Sequence, residues 1–177
     1  MITSIHKPHI YLLFLLGILH LFGFAQDQNY AFQENKGQWN EQVKFRANTN
    51  GGYLYLEKDA FHYQFISFPN KHLHDQNIHE NPEKMEGHVF RAEFIGANPN
   101  VAISSVGKSL EYYNYFLGND QKKWANQVHN YQEITYKDLY QDIDLKIYKV
   151  EGFFKYDYIV KPEGHINSIK VKYKGVK

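Results

Sequence analysis

The chain has 177 residues, with 20 Lys and Arg against 19 Asp and Glu, and no cysteine. A balance this close to neutral gives no electrostatic basis for a nucleic-acid or anionic-membrane partner. The absence of cysteine excludes a disulfide framework, thiol catalysis, thiolate metal sites and lipid attachment at a cleavage-site cysteine.

Residues 1–25 read as a secretory signal peptide. Lys7 supplies the basic start, an apolar run extends from Ile10 to Phe24, and small residues stand at Gly23 and Ala25. Cleavage after Ala25 would remove one basic residue and leave the two signs equal. The run is short for a bilayer span, which takes roughly 20 residues, and His20 interrupts it, so an uncleaved anchor is the weaker alternative. The remaining roughly 150 residues suit one domain with a real core. Aromatic residues make up 17% of the chain. They are mostly Tyr and Phe, which suit half-buried pleated surfaces, so the composition leans to β.

Residues 26–42 show little periodicity and read as an extended lead-in. Val43 to Asn48 and Tyr53 to Glu57 then form a predicted hairpin around Asn50-Gly51, a pair favoured in a type I′ turn. That turn sets Phe45 opposite Leu56 and Ala47 opposite Leu54 on one face. Lys44 then faces Glu57, and Arg46 faces Tyr55, on the other. A second tight turn at Lys58-Asp59 leads into Ala60 to Phe65 and makes a meander. Residues 67–87 hold Pro69, Pro82, four acids and three histidines, and read as a long exposed loop.

Strand patterning resumes at His88 to Ile95, followed by the turn cluster Gly96 to Asn100. Val101 to Val106 and Glu111 to Leu117 are two further predicted strands. Asp120 is placed to cap one short helical turn through Trp124. Glu133 to Tyr136 reads as a short strand and Lys137 to Gln141 as a turn. Ile143 to Val150 and Phe153 to Val160 form a hairpin across Glu151-Gly152, which sets Leu145 opposite Tyr158 and Lys146 opposite Asp157. Ile169 to Tyr173 is the last predicted strand. The fold class expected over 43–177 is all-β or nearly so, an antiparallel sandwich of hairpins and meanders.

Several stretches carry a resemblance. They are Phe32 to Trp39, Tyr53 to Glu57 with Phe61-His62-Tyr63, Phe94 to Asn100, Tyr113 to Asp120 with Trp124, and Tyr136 to Lys146 with Lys155-Tyr156-Asp157. Together they resemble the N-terminal domain of unknown function in large exported surface proteins of the Bacteroidota. In those proteins it often precedes β-propeller-type repeats, immunoglobulin-like or PKD modules, and a sorting domain for type IX secretion; some are gliding-motility-associated. The resemblance implies an exported, cell-surface or extracellular protein that passes the periplasm in transit. It also implies that the 177-residue chain is a C-terminally truncated or stand-alone form. It brings no catalytic residues with it.

Three groups are candidates for chemistry. His72, His74, Asp75, His79 and Glu80 carry metal-ligating types, although an unordered loop is no preformed site and a solvated loop is the favoured reading. Asp142 and Asp144, two apart on a strand with Asp157 on the partner, could serve glycoside hydrolysis or gather a cation. A surface ion-pair ladder with Lys146 on Asp157 explains the same pattern without chemistry. Trp39 and Tyr112-Tyr113-Asn114-Tyr115 could stack on sugar faces or pack on the sheet. No Ser lies in a Gly-x-Ser-x-Gly setting. No catalytic residue, metal site or cofactor is therefore assigned. The expected function is a non-enzymatic structural or adhesion module, with downstream domains or surface glycans as partners. A carbohydrate-binding module is the alternative, and a carboxylate-based glycosidase ranks last.

Overall fold

A computed structural model describes residues 30–67 and 86–176. The leader and the histidine-rich stretch, including His72, His74, Asp75, His79 and Glu80, lie outside the described residues. Ten strands form one antiparallel sheet. They are β1 (Phe32–Glu34), β2 (Phe45–Thr49), β3 (Gly52–Leu56), β4 (Ala60–Ser67), β5 (Glu86–Phe94), β6 (Ala102–Tyr115), β7 (Ala125–Tyr140), β8 (Ile143–Val150), β9 (Phe153–Val160) and β10 (Val171–Lys174). The order is β10-β5-β4-β3-β2-β1-β7-β8-β9, with β6 also paired to β7. The all-β, antiparallel expectation is met, and the two layers are halves of a single curled sheet. No helix among the described residues is long and apolar enough to cross a membrane.

The meander follows the sequence pattern. Phe45 faces Leu56, Arg46 faces Tyr55 and Ala47 faces Leu54, while Leu56 faces Phe61 and Leu54 faces Tyr63. Ala47, Leu54 and Leu56 are buried, because strand alternation turns every second residue inward. The turn itself departs from expectation. Gly51 has φ +92° but Asn50 is not left-handed, so the pair does not form a type I′ turn. The N–H of Ile66, at the far end of β4, donates to the Gly51 carbonyl at 2.7 Å and holds the turn from a third strand. The type I′ pattern appears instead at Glu151 (φ +50°) and Gly152 (φ +85°), which join β8 to β9. There Leu145 faces Tyr158 and Lys146 faces Asp157, as the two-residue turn requires.

β7 organises the curl. Along one edge it pairs with β6. Its other edge is shared: Phe32 and Gln33 of β1 pair with Tyr131 and Asn130, and β8 pairs from Glu133 onward. The two parts of the sheet diverge from this strand and close over one core. The Phe61 ring on β4 lies 4.9 Å from Phe94, 5.8 Å from Tyr136 on β7 and 5.7 Å from Tyr156 on β9. Phe32 meets Phe154 across the layers at 5.6 Å. Such aromatic pairs add about 0.5–1.5 kcal/mol each beyond the area they bury. The fully buried Tyr136 donates its hydroxyl to the Glu57 carbonyl at 2.7 Å, which satisfies the one polar atom it brings inside.

Several segments differ from the expected boundaries, and Ser67, Glu86 and Gly87, expected in the long loop, are paired residues that extend β4 and β5. The stretch read as a lead-in contributes β1, whose Phe32 is a core residue between β2 and β7. The two strands expected at Val101 to Val106 and Glu111 to Leu117 are one strand, β6. Its register shifts between Lys108 and Tyr112, after Gly107 at φ +69°, absorb the apparent break as a bulge. β7 runs sixteen residues rather than four; the expected turn at Lys137 to Gln141 is a bulge built on Asp138 at φ +49°. The last strand lies at Val171–Lys174 and pairs with β5. Asp120 caps the short 3₁₀ turn Gln121–Lys123 as expected, accepting from the Lys122 N–H.

Candidate functional site

The three aspartates do not converge. Asp142 lies in the β7–β8 turn at φ +57°, where its carbonyl accepts from the Lys161 N–H at 2.9 Å. Asp157 is exposed on β9 and accepts from the Tyr148 hydroxyl at 2.9 Å. The register sets Lys146 opposite Asp157, yet the Lys146 ammonium pairs with Glu133 of β7 at 3.0 Å. The expected Lys146–Asp157 ion pair is therefore replaced by two separate contacts.

Asp144 is buried and fully engaged. Its carboxylate accepts from the Asp138 N–H at 2.8 Å and meets the ammonium groups of Lys137 at 3.0 Å and Lys161 at 3.1 Å. Burial works against its charge, but the N–H and the two ammonium groups outweigh it and hold the carboxyl below the ordinary range. A glycosidase general acid needs the opposite shift. The arrangement fixes the bulge at Asp138 to β8.

A second charged cluster ties β3, β4, β5 and β10 together. The Glu57 carboxylate is buried beside Arg91 Nη1 at 2.5 Å and His62 Nδ1 at 3.2 Å. Arg91 also reaches Asp59 at 3.0 Å and Glu93 at 3.3 Å, and Glu93 meets Lys174 at 2.7 Å. Each of its three carboxylates, Glu57, Asp59 and Glu93, meets Arg91, so the carboxylates are engaged within the cluster.

The segment Glu34 to Trp39 is a hydrogen-bonded corner between β1 and β2. The Asn35 amide donates to the carbonyls of Asn40 and Val43, each at 2.8 Å, and its oxygen accepts from Gly37 at 3.0 Å and Trp39 at 3.2 Å. Trp39 is half-buried. The Arg46 guanidinium lies over its ring at 4.2 Å, and Tyr115 meets it edge-on at 6.1 Å. Its ring is thus occupied by its own chain, as the packing reading requires.

Beside this stack lies a cleft of about 290 Å³. It sits on the face of β2, β1, β7 and β6 turned away from the core, because Gln33, Arg46 and Asn48 alternate with the buried Phe32 and Ala47. Tyr30, Ala31, Asn130, Tyr113, Tyr115 and Lys149 complete the lining, and no carboxylate belongs to it among the described residues. The Tyr115 hydroxyl donates to Gln33 Oε1 at 2.5 Å. Tyr113 is half-exposed at the rim. Polar side chains from β1, β2, β6, β7 and β8 converge here beside accessible aromatic surface, which makes it the candidate binding site.

The family model described as Domain of unknown function (DUF7948) matches residues 32–177. The chain belongs to the DUF7948 family. Comparison with curated proteins and with solved structures gives no match to either.

The matched region spans every strand of this DUF7948 domain, from β1 to β10. Among the candidates named from sequence, Trp39 and Tyr115 belong to the stack and Tyr113 to the cleft, whereas Tyr112 packs on His129 at 5.8 Å. Sequence reading did not single out Gln33, Arg46, Asn48 or Asn130. The available signal was the placement of Arg46 on the outward face of the first hairpin, but only tertiary pairing shows which strands flank it.

Proposed function

We propose that this DUF7948 domain is a non-catalytic structural or adhesive module of an exported surface protein. The observation that carries the reading is the engagement of Asp144: the buried carboxylate of the aspartate group is held ionised by Lys137, Lys161 and the Asp138 N–H. The leader pattern at 1–25 and the resemblance to Bacteroidota surface proteins support export and a place beside downstream domains. Protease shaving of intact cells tests it. The domain is expected to be cleaved from the outside, and removal of residues 1–25 is expected to leave it protected in the cytosol. Protection of the intact chain would count against the reading.

A second reading, glycan binding, is favoured by the polar, tyrosine-rimmed cleft. Trp39 is not its platform, since Arg46 and Tyr115 already cover that ring. Tyr113 offers the accessible aromatic face, and the amides of Asn48 and Asn130 offer partners for sugar hydroxyls. A glycan array on the purified chain is expected to give hits that Tyr113→Ala weakens.

A further inference from the structure

We propose that the cleft recognises an acidic saccharide, with Arg46 gripping the carboxylate or sulfate of the sugar. The proposal rests on the glycan reading and narrows it to one class of ligand.

The two described arginines that reach the outer face are treated differently by the fold. Arg91 is neutralised by Glu57, Asp59 and Glu93. Arg46 has no carboxylate within ion-pair distance among the described residues. Aromatic rings hold it instead, with its guanidinium carbon 4.2 Å from the Trp39 ring centre and 4.6 Å from that of Tyr53. Rings stabilise a guanidinium through its flat face; one edge of Arg46 meets the Tyr55 hydroxyl, a neutral partner, and the remaining N–H groups suit the oxygens of an acid group. The charge is therefore fixed in place without being cancelled.

The surroundings suit a sugar acid. Lys149 also lines the cleft, and the other polar groups of the lining are neutral: Gln33, Asn48, Asn130 and the hydroxyls of Tyr30, Tyr113 and Tyr115. Neutral amides and phenols pair with sugar hydroxyls in either direction, whereas a carboxylate in the wall would repel the ligand's acid group. Tyr113, 48% exposed, adds accessible aromatic surface to the lining. The volume of about 290 Å³ is at the small end of ligand sites, which suits a terminal acidic unit rather than a long chain.

Titration calorimetry on the full chain tests this with three probes of matched length: an oligogalacturonate for the carboxylate, a chondroitin sulfate oligosaccharide for the sulfate, and a neutral cello-oligosaccharide. Quenching or enhancement of Trp39 fluorescence gives a second readout. At least one acidic probe is expected to bind about tenfold or more tighter than the neutral one, the size expected of a hydrogen-bonded charge. Arg46→Gln is expected to erase that difference, and Lys174→Gln, on the far edge at β10, to leave it intact. Tyr113→Ala and Asn130→Ala carry the test if Arg46→Gln does not fold; each is expected to weaken the acidic probe. Equal binding of neutral and acidic probes overturns the proposal and leaves glycan binding standing. Equal losses from Lys174→Gln and Arg46→Gln overturn it as well. Failure of all three probes overturns both the proposal and the glycan reading, and leaves the structural reading untouched.

Discussion

Replacing Asp144 by asparagine or by alanine separates the two jobs of its carboxylate. Asparagine keeps an oxygen for the Asp138 N–H and loses the charge that meets Lys137 and Lys161. Those lysines are 56% and 39% exposed, so water takes over most of what they lose, and each pair is worth about 0.5 kcal/mol. The expected cost of Asp144→Asn is therefore about 1 kcal/mol. Alanine also orphans the Asp138 N–H at a bulge and removes a charged hydrogen bond, which brings the total to about 3 kcal/mol. With a urea slope of about 1.5 kcal/mol per molar, the midpoints at pH 7 move by roughly 0.7 M and 2 M. The pH dependence gives a second check. The folded carboxyl lies below its ordinary value of 3.8, so on acidification the unfolded chain takes up the proton first. The stabilisation is complete above that ordinary value and is lost as pH falls through the folded one. The gap between the wild type and Asp144→Asn is thus constant from neutrality to about pH 5 and begins to narrow below about pH 4. Equal midpoints at pH 7, or a gap that does not narrow as pH falls from about 5 to about 3, would refute the argument.

Tyr136→Phe leaves the Glu57 carbonyl without its partner and is expected to lower unfolding free energy by about 1–2 kcal/mol in urea. Gly52→Ala would set a Cβ 1.8 Å from the Gln64 carbonyl oxygen on β4; it is expected to cost about 3 kcal/mol or more, whereas Gly96→Ala, with open space around it, costs about 1 kcal/mol. Burial pushes the Tyr158 phenol up to about 12 and raises those of Tyr156 and Tyr136 well above their ordinary value. Since unfolded phenols ionise near 10, the stabilisation these three contribute is present below pH 10 and lost as pH rises to about 12 and beyond. Absorbance titration at about 295 nm should show part of the tyrosine signal appearing only as the chain unfolds; a single reversible midpoint near pH 10 for every phenol would contradict this.

The hairpins β2–β3–β4 and β8–β9 were legible because short turns and alternating apolar residues fix register within one stretch of sequence. The type of turn was not, since Ile66 on a third strand holds the Gly51 peptide. β1 was illegible for a different reason: three residues with one large apolar side chain carry no period, and Phe32 becomes core only when β2 and β7 flank it. β7 was read at Glu133 to Tyr136 alone because its bulge at Asp138 and its polar stretch Asn126 to Asn130 imitate loop sequence. The Asp142, Asp144 and Asp157 pattern showed where carboxylates fall but not their partners, for Lys137 and Lys161 reach Asp144 from outside the β8–β9 ladder. The cleft was least visible of all, as the strands that line it become neighbours only through the closure around β7.

The placement of β1 between β2 and β7 bears on the order in which the chain can assemble. Glu34 and Tyr131, joined through side chains at 3.3 Å, stand 97 residues apart in sequence. A chain that emerges N-terminus first therefore presents β1 with only β2 to pair with, and one edge stays open until β7 has followed. The meander from β2 to β5 and the run from β6 to β9 each need only sequence neighbours. Closing the long loop between them is the slow event on entropic grounds. Interruption before residue 131 would leave an unpaired strand edge at the centre of the sheet, where another chain can add to it. The cleft exists only after that step, because Gln33 and Asn130 reach it from the two strands that join last.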